Sequence, residues 1–467
     1  MTSVSSPRPD VTTLGALKKT DYRSRSVKAE IRENLVRALA EGTTAFPGIV
    51  GFDETVLPEL ERALLAGHDF VLLGERGQGK TRVMRTLVGL LDEWSPEVAG
   101  SEIHDDPLAP VSVGSLRMLA EHGDDLPIAW RHRSDRYGEK LATPDTSVGD
   151  LIGDVDPIKV AEGRTLGDPE TVHFGLVPRT NRGIFALNEL PDLAERIQVA
   201  LFNVLEERDI QVRGYSLRMP LDLLLVASAN PEDYTNRGRI ITPLKDRFGA
   251  EIRTHYPLDV EDEMALIDQE ADPAGLIPEH LTEVVARFAR GLRESSAIDQ
   301  RAGVSARFAV AATETLAASA LRRSARTDQS PPVARVCDLP ALTPTLLGKV
   351  EFEMGEEGRE REVLDHLLRV ATAETFRARL SGLDLSGFTA RFAEGETVET
   401  GDLVPARDLL TQLGSVPGLG KVMERLGEDD TPDEGNAAAA VEFVLEGLYL
   451  TRRISKDTVD HLVVYGS

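Results

Sequence analysis

Phe70-Val-Leu-Leu-Gly74-Glu75-Arg76-Gly77-Gln78-Gly79-Lys80-Thr81-Arg82 is the stretch whose reading decides the fold. Four apolar residues run into Gly-x-x-x-x-Gly-Lys-Thr, and the helically spaced Val83, Leu87, Leu90 and Leu91 follow. Strand, glycine-rich turn and helix in that order match the P-loop pattern without a mismatch. The glycines let successive backbone N–H groups curl around a phosphate chain. A helix beginning near Lys80 aims its positive end at the same chain. Lys80 is expected to neutralise the outer phosphates, and Thr81 to hold Mg²⁺ through its hydroxyl. Gly74 to Arg82 are thus the expected ATP-binding residues, with Mg²⁺ as companion ion.

The bulk properties narrow the setting. A chain of 467 residues exceeds one compact core, so about two to four domains are expected. Lys plus Arg number 53 against 78 for Asp plus Glu, a net charge of −25. Such a chain repels bulk nucleic acid and anionic membrane on average. The one cysteine, Cys337, excludes an intrachain disulfide and favours a reducing compartment. In Arg-Val-Cys-Asp-Leu-Pro it reads as a small apolar filler. Met1 to Asp10 is rich in Ser and Pro without the apolar core of a signal peptide, and no apolar run reaches membrane-spanning length. The expectation is a cytoplasmic, soluble protein with no membrane contact.

Residues 1–20 read as a flexible tail and 21–257 as an α/β nucleotide-binding core. Within the core, Ile184–Leu187 and Leu221–Ala227 read as buried strands. Leu193, Ile197, Leu201 and Leu205 mark an amphipathic helix over Asp192–Glu207. Strands alternating with helices imply a parallel sheet flanked by helices. The stretch 94–148 reads as an irregular insertion, and 209–220 as a β-hairpin. In the insertion, His104, Asp105 and Asp106 read as an exposed acidic turn rather than a metal site. Residues 258–326 are helical in pattern, 327–345 hold four prolines and read as a linker, and 346–467 read as a C-terminal helical domain.

A P-loop alone says only that a nucleotide is bound. Cleavage also requires an anchor for Mg²⁺, a group that orients water and positive charge at the γ-phosphate. Candidates of the right type stand where strands end. Asn188 and Glu189 close the run Gly183-Ile-Phe-Ala-Leu, Asn230 closes the Leu221 strand, and two arginines follow in Lys245-Asp-Arg247-Phe and Ser305-Ala-Arg307-Phe. Each has a plainer reading. Glu189 fits a helix N-terminal charge, Asn230 a turn before Pro231, Arg247 an internal pair with Asp246, and Arg307 an exposed helix surface.

Taken together, these residues resemble the AAA+ ATPases, in the branch that holds the magnesium chelatase I subunit and the MoxR ATPases. The segments that carry the resemblance are Gly48-Ile-Val-Gly-Phe-Asp53 and Asp150-Leu-Ile-Gly-Asp-Val-Asp156. Phe174-Gly-Leu-Val-Pro-Arg-Thr-Asn-Arg-Gly183 and Phe202-Asn-Val-Leu-Glu-Glu-Arg208 add to it, and the likeness covers roughly residues 25–325. It implies that Glu189 polarises the attacking water and that Asn230 is the first sensor. Arg247 is implied to be an arginine finger for a neighbouring subunit, Arg307 the second sensor, and 258–326 a lid. Asn188 stands where the family has aspartate. An amide can hold a Mg²⁺-bound water through its oxygen but brings no charge, so its role would be indirect.

The resemblance also implies a homo-oligomeric ring, commonly a hexamer, acting on a client through a protein with a von Willebrand factor A domain. Chelation and general remodelling are not distinguished by it, and the client stays unidentified. Two other readings stand beside this one. A nucleic-acid motor would use the basic Arg208, Arg213 and Arg218 around the hairpin as pore contacts, against the net charge. A nucleotide-dependent assembly switch with slow hydrolysis would follow from Asn188.

Overall fold

Phe70–Leu73 (β1) is buried at all four positions and lies inside a five-stranded sheet. The other strands are Tyr137–Leu141 (β2), Gly183–Asn188 (β3), Leu223–Ala229 (β4) and Ala250–Arg253 (β5). Their order is β5-β1-β4-β3-β2, and every pair is parallel. The computed structural model describes residues 6–156, 158, 161, 171–210, 219–231, 239–393, 395–414, 416–427, 433–459 and 462–467.

Both faces of the central strands are covered, which is why they read as unbroken apolar runs. Phe70, Leu72, Ile184, Ala186, Leu224 and Val226 pack on one face, against helices Val27–Glu41 (α1), Val56–Ala66 (α2) and Lys80–Thr86 (α3). The alternate residues Val71, Leu73, Phe185, Leu187, Leu225 and Ala227 pack on the other, against Glu195–Glu206 (α4). The alternation follows the pleat. Glu30 of α1 pairs with Arg136, just before β2, through two hydrogen bonds of 2.7 Å, both side chains being buried. Removing either partner would strand a charge in the core.

The insertion is more ordered than its sequence implies. Trp94–Val98 pairs antiparallel with Ile128–His132, and Val113–His122 is a helix capped by Ser112. β2 itself escapes a sequence reading because Tyr-Gly-Glu-Lys-Leu is a partly exposed edge strand without an apolar run. The acidic turn is not exposed. Asp105 is fully buried and accepts from the backbone N–H groups of Val111 and Ser112 at 2.6 and 3.1 Å. Burial raises its pKa, but hydrogen bonds led by that of Ser112 outweigh this and hold it below the ordinary value. Among the described residues no group of three acidic, histidine or cysteine side chains could hold a metal ion.

Of the hairpin, Asp209–Ile210 pairs antiparallel with Met219–Pro220, while 211–218, with Arg213, lie outside the described residues, as does Arg218. Arg208 turns inward. It bonds the carboxylate of Asp69, which also takes Lys28 at 2.9 Å and the N–H of Leu225 at 2.8 Å. Its charge is thus paired with a buried carboxylate, which weakens one leg of the nucleic-acid reading.

The chain divides into two compact units, Met1–His255 and Tyr256–Ser467. In the second, Val260–Glu270, Glu279–Glu294 (α5) and Ala306–Thr327 (α6) give the expected helical run, followed by Glu360–Leu380 and Glu434–Leu450 (α7). One hydrophobic core extends from Ile267 to Tyr465. The proline-rich stretch belongs to that core. Arg335, Asp338, Leu339 and Leu342 are buried in it, and Arg323 of α6 binds Asp338 at 2.9 Å. The stretch is held there by charge pairs instead of linking two bodies. The C-terminal part is not wholly helical, for Val398–Gly401, Ser455–Val459 and Leu462–Gly466 form a small antiparallel sheet. No helix among the described residues is long and apolar enough to cross a membrane.

Candidate nucleotide site

The parallel register brings the C-terminal ends of β1, β4 and β3 side by side. Leu73 lies beside Ala229, and Ala227 beside Leu187, so Gly74, Asn230 and Asn188 emerge together at one sheet edge. Ligands of open α/β sheets bind at such an edge.

Gly74 leaves β1 with its N–H bonded to the carbonyl of Ala229 at 3.1 Å. A Cβ on Gly74 would meet Thr254 Oγ1 at 1.9 Å and Gln78 Oε1 at 2.3 Å. Only glycine lets the loop turn there. Gln78 Oε1 accepts from the Glu75 N–H at 3.0 Å and from Thr254 Oγ1 at 2.9 Å, which ties the loop to the end of β5. Gly77 and Gly79 have φ of 77° and 75°, the left-handed region that favours glycine. Arg76 and Arg82 are exposed on either side of the turn.

Lys80 is buried in the cradle so formed. Its ammonium bonds the carbonyl of Gly74, that of Glu75 at 2.8 Å and Asn230 Oδ1 at 2.7 Å. Asn230 Nδ2 in turn donates to Glu189 Oε2 at 2.8 Å. Glu189 takes φ 54° and ψ 48°, uncommon for a residue with a side chain, and its N–H donates to Ser228 Oγ at 3.2 Å. Backbone strain of this kind clusters at functional sites. Thr81 Oγ1 donates to Asn188 Oδ1 at 3.2 Å.

Lys80, Thr81, Asn188, Glu189 and Asn230 are therefore one hydrogen-bonded set. The set fits a nucleotide with its metal ion: a glycine turn with no room for a Cβ at Gly74, a buried ammonium, and two side-chain oxygens, Thr81 Oγ1 and Asn188 Oδ1, facing each other. Arg247, in the same unit, is not brought into it. Arg247 Nε donates to Glu206 Oε2 at 2.7 Å, its guanidinium lies 4.7 Å from the centre of the Phe202 ring, and its plainer reading with Asp246 gives way to this pair. Arg307 is the exposed second residue of α6, its N–H capped by Ser305 Oγ at 3.2 Å.

Three polar residues of the site went unread in the sequence. Ser228 is the polar residue that ends the apolar run of β4, a signal that could have found it, whereas Thr254 follows the mixed Ala-Glu-Ile-Arg of β5, which gives none. Glu139 lies on β2. Its carboxylate accepts from Arg85 at 2.8 and 3.0 Å and from Asn188 Nδ2 at 2.8 Å. The Arg85 hydrogen bond holds its pKa below the usual carboxylate value.

Residues 163–247 match the family model of the sigma-54 interaction domain. The magnesium-chelatase 38 kDa subunit of Rhodobacter capsulatus is 28% identical over 382 residues, covering 76% of this chain and 93% of that protein. Magnesium-chelatase subunit ChlI-1 of Arabidopsis thaliana is 27% identical over 237 residues, covering 48% of this chain. The chain thus spans about half the length of that relative, 51%. Among solved structures, a model of the complex between subunits BchI and BchD of magnesium chelatase is 21% identical, with a TM-score of 0.37. It covers 68% of this chain and 98% of its own. The chain thus carries a P-loop and a parallel sheet, and its sequence is related to magnesium-chelatase subunits.

Proposed function

We propose that the set gathered at the ends of β1, β3 and β4 binds ATP with Mg²⁺ and hydrolyses it, and that the energy drives work on a protein client. The observation that carries this is the continuous chain from Lys80 through Asn230 to Glu189. A bound magnesium ion would neutralise phosphate charge, making the terminal phosphorus a better electrophile and ADP a better leaving group. Lys80 exchanges neutral oxygens for phosphate oxygens, which bind an ammonium more strongly. Asn230 then loses its bond to Lys80 and is placed to feel the γ-phosphate. Glu189, tethered to Asn230, orients the attacking water.

The likeness to chelatase I subunits supports the wider reading. Copies of the chain form a ring, Arg247 of one completes the site of the next, and Arg307 reports the γ-phosphate to the lid. A partner with a von Willebrand factor A domain passes the motion to the client, by remodelling it or by loading metal. In an ATP-binding and phosphate-release assay, Glu189→Gln is expected to bind ATP, stall and stabilise the ring. A wild-type rate in that variant overturns the assignment. The stalled ring, used as bait with the full set of neighbouring gene products, is expected to retain the von Willebrand protein, and failure to do so removes that partner from the reading.

A further inference from the structure

Position 188, the last of β3, carries an amide, and a carboxylate faces it from the neighbouring strand. The β2–β3 register sets Glu139 beside Ala186 and Leu141 beside Asn188, so Glu139 and Asn188 project to the same side of the sheet. Glu139 Oε1 accepts from Asn188 Nδ2 at 2.8 Å. An ionised carboxylate has no proton to donate, so it fixes which way the amide lies. The NH₂ must face Glu139, which turns Oδ1 towards the hydroxyls of Thr81 and Ser228, each at 3.2 Å. Glu139 is itself held by both nitrogens of the Arg85 fork and by the Tyr137 hydroxyl at 3.2 Å.

We propose that Glu139 is a positioning residue for the magnesium side of this site. It locks the Asn188 amide with its oxygen towards Thr81 and polarises that oxygen through a charge-assisted hydrogen bond. Asn188 and Glu139 together then do what one carboxylate does elsewhere. The inference rests on the nucleotide reading above and adds to it a residue outside every motif. It also carries a consequence that a lone Asn188 would not have. Aspartate at 188 places two carboxylates within hydrogen-bond distance of each other, a like-charge contact that disfavours the arrangement.

The test is a Mg²⁺ titration of fluorescent ATP-analogue binding, read as the half-saturating Mg²⁺ concentration, beside binding of the same analogue in EDTA. Glu139→Gln is expected to raise the Mg²⁺ requirement about tenfold, the usual scale for losing a residue that orients a metal ligand. Asn188→Asp alone is expected not to lower it. The double variant Asn188→Asp with Glu139→Gln is expected to return it to the wild-type value or below, because one carboxylate again faces Thr81 and Gln can donate to it. An unchanged requirement in Glu139→Gln overturns the proposal, as does an Asn188→Asp variant that binds Mg²⁺ as tightly as the double. Should Glu139→Gln fail to fold, Arg85→Gln serves, since the Arg85 side chain is 64% exposed. Loss of the Arg85 fork that holds Glu139 in place is expected to raise the requirement about two- to threefold, and no change overturns the role. EDTA separates the two readings. Wild-type protein that binds no analogue under either condition overturns the nucleotide site itself, whereas intact EDTA binding with a flat Mg²⁺ series overturns Glu139 alone.

Discussion

Lys80 and Arg335 are both buried cations, one in each unit, and their partners differ. Lys80 bonds two carbonyls and the amide oxygen of Asn230. Neutral oxygens can yield to a phosphate, and the glycines around them leave room for one. Arg335 grips the carboxylate of Glu442 and completes its fork on Val404 O at 2.9 Å and Thr400 Oγ1 at 3.3 Å. Glu442 also accepts from the Cys337 N–H at 3.1 Å. The two side chains are 0% and 1% exposed, so water and ligands are shut out. Burial of charge thus has two outcomes here. Where neutral oxygens are among the partners and glycines take the left-handed backbone, the cation can exchange them for an incoming anion. Where the partners are charged and sealed, it braces the core.

Breaking the brace carries the largest expected effect. Glu442→Gln leaves Arg335 charged and uncompensated in the core, at a cost of about 3–5 kcal/mol. Urea denaturation of the full chain measures it, and the apolar double Arg335→Met with Glu442→Leu is expected to recover most of the loss. A wild-type midpoint in Glu442→Gln would erase the contrast between the two cations. Lys80→Ala comes next, and it should act on ligand binding and not on the fold. Losing a charge-assisted bond to phosphate is worth about 2–3 kcal/mol, near a hundredfold in ATP affinity by calorimetry. If the nucleotide-free midpoint falls as far as it does for Glu442→Gln, Lys80 is a brace as well.

A third buried base sharpens the contrast by having no partner at all. Both ring nitrogens of His280 on α5 are buried without a hydrogen bond, and the ring packs 4.7 Å from that of Phe443. Burial, aided by the charge of Arg379, pushes its pKa down to about 3 from an ordinary 6.5. The unfolded chain therefore binds the extra proton between those values. Stability is fully present above about pH 6.5 and is lost as pH falls, by about 2 kcal/mol at pH 5. His280→Leu is expected to flatten that slope in urea titrations at pH 7 and pH 5, and an unchanged slope would assign it to other groups.

The same contrast explains what the sequence disclosed. Gly74 to Thr81 was legible because the loop needs glycine where a Cβ cannot fit, and that demand leaves a pattern in the chain. β3 and β4 were legible because both their faces are covered. Glu139 was not, because its strand lies at the edge, and its link to Asn188 spans 49 positions that only the sheet register joins. The proline-rich stretch misled for the opposite reason. Proline marks breaks in helices, but the pairs Arg323–Asp338 and Arg335–Glu442 that hold this stretch in the core have no local signature.

Arg247 is where the contrast is hardest to draw and the expected effect on the fold is smallest. Its partner Glu206 has a side chain 55% exposed, so the pair is neither sealed like Arg335 nor cradled like Lys80. An exposed ion pair is worth about 0–1 kcal/mol, and the face of Phe202 adds on the order of 1 kcal/mol or less. Arg247→Ala should therefore melt close to wild type and bind ATP normally. Its use by a neighbouring copy is tested by mixing. Lys80→Ala chains lack the phosphate grip but keep Arg247, and Arg247→Ala chains have the converse. If Arg247 acts across the ring, a mixture of two inactive variants contains sites with Lys80 from one chain and Arg247 from the next, and phosphate release returns in part. If both enter common rings and release stays absent, Arg247 serves only its contact with Glu206.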